Sequence, residues 1–250
     1  MDRLTRHAED LAHSHVGYVL TAGENLVGVL LMIFRRVSVN GGSHLRCNLS
    51  SWCVDEAYRS YGSLLVTMAT RDKAVTYINI SPERHTRRIV EAQGFTRYAD
   101  GLFLSVPLLS GRSGTPVAYV TGDTVAPANA SADDVALVEA HANLGCLTLW
   151  CVAPDGAYPF VFSVSRRLKR TVRVAHVVYC PDPVLVARFS QGIGVFLARR
   201  RIFFISIDTN GSIAGLRGRY FKDRMPKYFR GDHKPRLGDL AYTELPLFGA

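Results

Sequence analysis

The sequence has no hydrophobic run long enough to cross a membrane. Its longest apolar stretch, residues 26–34, has the length of a strand, whereas a membrane-spanning helix needs about 20 apolar residues. The first ten residues, MDRLTRHAED, are too charged for a secretory signal peptide. These absences predict a cytoplasmic protein without a membrane partner.

Several chemical signatures are also missing. The five cysteines form no Cys-x-x-Cys pair and have no histidines at zinc-site spacing. We therefore expect reduced thiols, most of them buried in strands, and no metal. Gly-x-Ser-x-Gly, the P-loop and the Rossmann fingerprint are absent. Nothing in the sequence therefore indicates a zinc enzyme, an α/β-hydrolase or a nucleotide-binding protein of these kinds.

The positive charge is concentrated near the C-terminus. The chain of 250 residues has a net charge of +9, and basic residues alternate with aromatic ones within residues 217–236. Such a stretch could bind a polyanion, could pack as an irregular loop, or could cover a cleft. We favour packing, keep a polyanion at residues 217–236 as a possible partner, and do not expect a nucleic acid.

The order of elements predicts an α/β fold with a mixed sheet. A hydrophobic content of 48% suffices for one large domain or two small ones. In the first half, strands are predicted at 16–22, 26–34, 45–54, 74–80 and 101–107, with helices over 63–71 and 82–93. In the second, a helix capped by Ser131 precedes strands at 146–153, 158–165, 171–180, 202–208 and 240–248, and a helix spans 183–200.

Hairpin, strand, helix and strand thus occur twice. We therefore expect two similar halves, over residues 1–108 and 131–250, joined by a linker or crossover over 109–130 that is rich in Gly, Ser, Pro and Ala. The second half has no loop resembling that of residues 55–62 and is interpreted as a degenerate copy.

Residues 49–65, LSSWCVDEAYRSYGSLL, carry the strongest signal for a binding site. An apolar strand ends at Val54, a polar loop is predicted over 55–61, and a helix begins near Gly62. A strand, tight loop and helix N-terminus present unpaired backbone N–H groups and a positive dipole end to an anion such as a diphosphate. An ordinary strand-to-helix turn would give the same pattern.

This order of elements resembles the GNAT superfamily of acyl-CoA-dependent N-acyltransferases. The family's signature has Arg or Gln, two variable residues, Gly, one variable residue, and Gly or Ala. Here Arg59 and Gly62 match, whereas Leu64 replaces the last small residue. Leu64 could narrow the pocket or point into the core, and we favour the core. A helix that ends at Gly94-Phe95 is a second shared feature.

The resemblance implies acyl-CoA as the donor, bound where the sheet splays beside the phosphate loop. Backbone groups of the signature strand would pair with the pantetheine arm, and the phosphate loop would hold the diphosphate through N–H groups. In this chain the strand residues are Trp52, Cys53 and Val54, and the loop residues are Arg59, Ser60, Tyr61, Gly62 and Ser63.

The resemblance gives less guidance on proton transfer. Family members commonly place a tyrosine four residues before the glycine of Gly-Phe, and here that position is Val90. Tyr98 could replace this acid, as could Tyr77 or His85. Glu24 and Glu56 are candidate bases, with Asp55 beside them.

The sequence specifies neither the acyl length nor the acceptor, which we expect to be a small-molecule or peptide amine. The alternative to an enzyme is a non-catalytic module that binds acyl-CoA or a polyanion and acts in regulation.

Overall fold

The computed structural model describes residues 15–39, 42–110, 118–121, 126–167 and 171–249. The first half of the chain forms strands β1 (Gly17–Ala22), β2 (Asn25–Val39), β3 (Gly42–Val54), β4 (Val75–Asn79) and β5 (Thr96–Ser105), with helices α1 (Gly62–Ala69) and α2 (Arg87–Ala92). The second half forms β6 (Ala118–Thr121), α3 (Ala132–Asn143), β7 (Leu147–Ala153), β8 (Gly156–Arg167), β9 (Val172–Tyr179), α4 (Pro183–Arg188), α5 (Ser190–Ala198), β10 (Phe204–Thr209), β11 (Gly218–Arg230) and α6 (Glu244–Phe248). The predicted α/β class with a mixed sheet is confirmed.

The chain folds as two compact units that are not consecutive in sequence. Unit 1 comprises the described residues up to Tyr98 together with Met225–Pro235, and unit 2 comprises Ala99–Arg224 and the residues from Arg236 onward. Strands β5 and β11 therefore contribute residues to both units. Relative to the expected halves, residues 99–108 belong to unit 2 and residues 225–235 belong to unit 1.

Unit 1 has the sheet order β1-β2-β3-β4-β11. Strands β1 to β3 are antiparallel, β4 runs parallel to β3, and β11 runs antiparallel to β4. The core joins strand residues such as Leu30 and Cys47 with Leu65 and Val66 of α1 and Val90 of α2. Helices α1 and α2 thus pack their apolar sides against this sheet.

Unit 2 has the order β6-β7-β8-β9-β10-β5. Strands β9 and β10 are parallel, and the other neighbouring pairs are antiparallel. A buried polar cluster joins the parallel pair: His176 Nδ1 lies 2.9 Å from Ser206 Oγ, and its Nε2 lies 3.2 Å from Asp208 Oδ2. The Ser131 cap is confirmed, because its hydroxyl accepts a hydrogen bond from the Asp134 N–H at 3.1 Å.

Three predicted elements were wrong in detail. The helix expected from residue 82 begins at Arg87, since Thr86 N–H donates to Glu83 O at 3.0 Å and forms a turn before it. The helix expected over 183–200 is divided at Phe189, whose ring is buried in the unit 2 core. The strand expected over 240–248 is instead a turn followed by α6, because the Thr243 hydroxyl donates to Leu240 O at 2.6 Å.

The segment over 217–236 was also misjudged, since most of it is the regular strand β11 and not an irregular loop. In unit 1, Lys227 and Tyr228 are fully buried, and Arg230 Nη1 donates to Thr70 Oγ1 at 3.0 Å. In unit 2, Arg219, Lys222 and Arg224 are exposed. The inward packing of Tyr228 agrees with the favoured interpretation, and a polyanion partner remains a prediction about the exposed cations.

Candidate functional site

Strand β3 of unit 1 contains a β-bulge beyond the part that pairs with β4. Strand β3 pairs with β2 up to Gly28↔Val54, but its parallel pairing with β4 covers only Leu45–Asn48. Between Leu31↔Ser50 and Val29↔Cys53, β3 has one residue more than β2, and Ser51 adopts φ 51°. An extra residue in a left-handed conformation bends its strand. Strand β4 ends at Asn79, one residue beyond this pairing, so residues 49–54 of β3 have no register partner in β4.

A small cavity of about 10 Å³ lies beside the ends of β3 and β4. Side chains from both strands and both helices line it: Leu30, Leu49, Trp52, Val66, Asn79, Val90, Gln93 and Phe95. Such a volume holds about one water molecule. The opening that the resemblance implied therefore stays a prediction, and side chains at this cavity must move before a pantetheine arm can occupy it.

The predicted phosphate loop is a 3₁₀-helix over Glu56–Tyr61 that leads directly into α1. The Tyr58 N–H donates to Asp55 O at 2.9 Å, and the Gly62 N–H donates to Arg59 O. The expectation of unpaired amides was therefore wrong for these two groups. A 3₁₀-helix has poorer hydrogen-bond geometry than an α-helix, and this turn must rearrange before its paired amides can bind an anion.

The polar side chains of this segment face solvent. Arg59 Nη1 lies 3.4 Å from Glu56 Oε1, with side-chain exposures of 71% and 85%. Ser60 and Ser63 are exposed, and Tyr61 is about half exposed. An exposed ion pair is weak, so the Arg59 guanidinium can exchange Glu56 for an anionic ligand at little cost.

Gly62 has a different role from the one expected. A Cβ at Gly62 would lie 3.5 Å from the Trp52 indole and from Val54 Cγ2. The side-chain position of this residue therefore faces the end of β3, and not the outer surface where a diphosphate would lie. Leu64 was expected in the core, but it is 52% exposed because it lies on the outer side of α1. It therefore does not fill the cavity.

Trp52, Cys53 and Val54 form the end of β3 beyond the bulge. Residues 53 and 54 are register partners of Val29 and Gly28 in β2, while the other edge of this segment is the one released from β4. Trp52 lines the cavity. Cys53 is exposed and not buried as expected for strand cysteines, and Cys146 is partly exposed, while the other three cysteines are buried.

The three predicted catalytic residues do not line the described cavity. Glu24 is exposed in the turn between β1 and β2, and Glu56 is exposed beside Arg59. Tyr98 is buried, with its ring 6.2 Å from Phe229 in an edge-on arrangement. Tyr77 is also buried, and burial raises the pKa of its hydroxyl above the usual value. Their catalytic roles remain predictions.

Sequence reasoning missed Gln93, which lines the cavity beside Val90. Its Oε1 and Nε2 atoms are buried and find no hydrogen-bond partner among the residues that the structure describes. A buried amide without a partner is costly. Gln93 is therefore suited to hydrogen bond with a ligand that brings its own donor and acceptor. Its place just before the predicted helix stop at Gly94 was the only sequence signal.

Strand β11 also brings unexpected groups beside β4. Lys227 is fully buried, and its Nζ donates to Ile80 O at 2.7 Å, just beyond the carboxyl end of β4. The Tyr228 hydroxyl donates to Glu91 Oε1 at 2.9 Å and accepts from Arg97 Nε at 3.0 Å. Burial, and then the hydrogen bond to Glu91, raise the pKa of Tyr228. These contacts hold the end of β4 and helix α2 in place.

The described residues carry neither a candidate metal site nor a candidate membrane-spanning helix. This part of the chain brings together no group of three or more His, Cys, Asp or Glu side chains that could hold a metal ion. Among the helices described, none has both the length and the apolar character required to cross a membrane.

No family model and no curated protein matches the sequence, whereas solved structures match its fold. A GCN5-related N-acetyltransferase from Anabaena variabilis has a TM-score of 0.56 at 10% identity, over 92% of this chain and 69% of its own. One from Kribbella flavida has a TM-score of 0.53 at 16% identity, over 92% and 63%. A probable N-acyltransferase from Enterococcus faecalis has a TM-score of 0.51 at 9% identity, over 90% and 62%.

These similarities define the class of fold. The chain has the fold of the GCN5-related N-acetyltransferases, as the resemblance of residues 49–65 implied. It spans between 62% and 69% of the lengths of these three proteins.

Proposed function

We propose that this protein is an acyl-CoA-dependent N-acyltransferase, which moves an acyl group, acetyl in the simplest case, from a thioester to an amine. The observation that carries the proposal is the released edge of β3, whose residues 49–54 have a bulge at Ser51 and no register partner in β4. A strand edge released in this way offers backbone groups to a slender, amide-containing chain. The pantetheine arm of coenzyme A is such a chain.

The donor would contact three parts of unit 1. Backbone groups of Trp52, Cys53 and Val54 would pair with the arm, and the Gln93 amide would hydrogen bond with one of its amides. The diphosphate would lie at the start of α1, where the exposed residues Arg59, Ser60, Tyr61 and Ser63 flank Gly62. Binding would displace Trp52 from the narrow cavity and would rearrange the 3₁₀ turn around the anion.

The reaction is a direct transfer. The amine nitrogen attacks the thioester carbonyl carbon, the carbon–sulfur bond breaks, and a proton passes from nitrogen to the leaving thiolate. Because a thiol has a pKa near 8.5, the thiolate is a tolerable leaving group. Holding amine and thioester together supplies much of the acceleration, and a general acid adds roughly 10²–10⁴-fold. Val90 at the family's tyrosine position leaves Tyr98 as the proposed acid, and Glu24 or Glu56 as the proposed base.

We also propose that the chain is a tandem of two related halves. A hairpin (β7–β8), a strand (β9), helices (α4 and α5) and a parallel strand (β10) repeat the order of β1 to β4. Strand β9 carries a bulge opposite β8, as β3 does opposite β2. The repeated order of elements, the repeated strand pairing and the repeated β-bulge together support duplication of one half.

Two observations favour the alternative, a non-catalytic module that binds acyl-CoA or a polyanion. The cavity is narrow, and an apolar valine replaces the family's tyrosine. The exposed cations Arg219, Lys222 and Arg224 on β11 offer a separate surface for a polyanion.

Two measurements test the proposal. A thermal-shift screen with acetyl-CoA and longer acyl-CoAs should stabilise the protein, by about 2.7 kcal/mol at 100 times the Kd. Release of free coenzyme A thiol with a panel of amino acids, polyamines and peptides then separates enzyme from binder. Stabilisation without thiol release would favour the module, and the absence of stabilisation by any acyl-CoA would contradict both.

A further inference from the structure

Unit 2 repeats the strand construction of the proposed donor site. Strand β9 pairs with β10 only from Val174↔Phe204 to His176↔Ser206 and then continues to Tyr179. Between Phe162↔Val177 and Val161↔Tyr179, β9 contains the extra residue Val178. The end of β9 therefore has a bulge and no register partner in β10, as the end of β3 has a bulge and no register partner in β4.

The released edge of β9 is covered by the chain itself. The segment Arg236–Thr243, named the strap here, runs beside it. The Cys180 N–H donates to Gly238 O at 2.9 Å, and the Leu240 N–H donates to Val178 O at 2.7 Å. Asp239 forms an antiparallel bridge with Tyr179. The strap thus gives β9 the strand-like backbone contacts that we assign to the pantetheine arm at β3.

The strap is fixed at both ends. Arg236 Nη1 donates to Cys180 O at 2.6 Å and to Pro181 O at 3.2 Å, and its guanidinium lies 4.8 Å from the centre of the Tyr179 ring. At the other end, the Tyr242 N–H donates to Nε2 of the fully buried His141 at 3.1 Å. Leu240 is 3% exposed. Such burial and hydrogen bonding are typical of a segment that opens rarely.

Gly238 is the residue that permits this close fit. Its φ is +76°, and a Cβ there would lie 2.6 Å from Cys180 Sγ. The Cys180 thiol is completely buried. A side chain at residue 238 therefore has to push the strap away from β9, and the Cys180 thiol then reports the separation.

We propose that the strap occupies the donor position of the second half permanently, so that each chain binds one acyl-CoA, at β3. This inference rests on the proposed function for its donor, but the closure of the β9 edge can be measured without one. In the second half, the strap takes the place that the acyl-CoA donor would otherwise occupy. The second half then supports the fold without turning over a donor.

The first experiment measures closure by pulse alkylation of thiols, followed by peptide mass mapping of Cys180. In the wild type, Cys180 should remain unmodified while Cys53 reacts. Gly238→Ala should raise the Cys180 rate by at least roughly tenfold, which corresponds to about 1.4 kcal/mol. Gly145→Ala is the matched control, because Gly145 also has positive φ (+87°) but its Cβ would meet nothing within 4 Å.

A second variant distinguishes local opening of the strap from general unfolding of the protein. Arg236→Gln removes the hydrogen bonds to Cys180 O and Pro181 O and should produce a smaller rise, with an unchanged far-UV circular dichroism spectrum. Rapid wild-type alkylation of Cys180, or equal rates in the Gly238→Ala and Gly145→Ala variants, would overturn the closure.

The second experiment counts donors by isothermal titration with acetyl-CoA. The inference predicts one site per chain, and Cys180 alkylation that does not change when the donor binds. Two sites per chain, or faster alkylation of Cys180 with donor, would overturn it. No binding at all, with Cys180 still protected, would refute the proposed function and leave the closure of β9 established.

Discussion

Strand pairs β3–β4 and β9–β10 have the same construction and differ in what lies beside the released edge. In both, the parallel pairing covers only three or four residues, and the longer strand continues beyond it through a bulge. Beside β3 there is a narrow cavity, and beside β9 there is the strap, bonded on both sides of Tyr179. Each strand end therefore has one edge without a register partner in the neighbouring parallel strand, and the occupant of that edge decides whether it can serve as a binding site.

The polar groups near the two strand edges also differ in whether they have hydrogen-bond partners. At the β3 cavity, the Gln93 amide atoms find no partner among the described residues. At the β9 edge, the strap supplies acceptors and donors to Val178 and Cys180. An unsatisfied amide favours a ligand, whereas a satisfied edge does not. The comparison thus directs the search for activity to unit 1.

The largest expected effect comes from Gly62→Val. A branched side chain there would press on the Trp52 indole and Val54, which a Cβ alone would meet at 3.5 Å. We expect acyl-CoA affinity to fall more than about 100-fold, or about 2.7 kcal/mol, with the fold retained. Gly62→Ala is the control, because 3.5 Å is an ordinary contact, and it should bind within a few-fold of wild type. Normal affinity in the valine variant, measured by titration calorimetry, would count against the site.

Gln93→Leu should separate binding from stability. Removal of a buried amide without a described partner should raise the free energy of unfolding or leave it unchanged, while donor affinity falls by about 1–3 kcal/mol. Urea unfolding and calorimetry measure the two quantities. Ser190→Ala is a useful comparison, because the Ser190 hydroxyl is equally buried without a described partner but belongs to unit 2. Equal donor affinity in wild type and the Gln93→Leu variant would remove Gln93 from the site.

The closed edge in unit 2 should also be visible in the pH dependence of stability. Burial raises the pKa of the Cys180 thiol to about 12 and that of Cys146 to about 11. The unfolded chain releases these protons from about pH 9, so the stabilisation is complete below that pH and is lost as the pH rises toward 11 and 12. For each thiol, the free energy of unfolding should fall by about 1–2 kcal/mol between pH 8 and pH 10.

Urea unfolding at the two pH values provides the measurement, with Cys180→Ala for comparison. The Cys180→Ala variant should lose less stability between pH 8 and pH 10 than the wild type. An identical loss in both proteins would show that the β9 edge is not closed around this thiol.

The smallest expected effect is a change in tryptophan fluorescence. Trp52 lies at the cavity, whereas Trp150 is buried in unit 2. In a Trp150→Phe variant, acetyl-CoA should change the emission of Trp52, because the arm must displace the indole. A Trp52→Phe variant should show no such response. Emission that stays constant at saturating donor would mean that the arm lies elsewhere.

Local signals in the sequence predicted much of the fold. The β1–β2 hairpin, the Ser131 cap and the parallel strands β4 and β10 follow from turn residues, a cap and apolar periodicity within short windows. The Arg59–Gly62 spacing places the candidate site at the end of β3, and that site stays a prediction. Such features depend on neighbours in sequence, which is why they can be inferred without coordinates.

The missed features depend on distant partners. Strand β11 is stabilised by β4, about 150 residues earlier, and its alternating basic and aromatic residues gave no indication of that neighbour. The strap depends on β9 in the same way, through a bridge between Tyr179 and Asp239. The outward side of Leu64 depends on the packing of Leu65 and Val66 of α1 into the unit 1 core. Periodicity alone cannot supply these contacts.

Hydrogen exchange of the two bulged strands, with and without saturating acetyl-CoA, tests the central claim most directly. The account predicts that the donor slows exchange in residues 49–54 and leaves residues 176–181 unchanged and already protected. Unchanged exchange in residues 49–54 under conditions where the donor binds would contradict it.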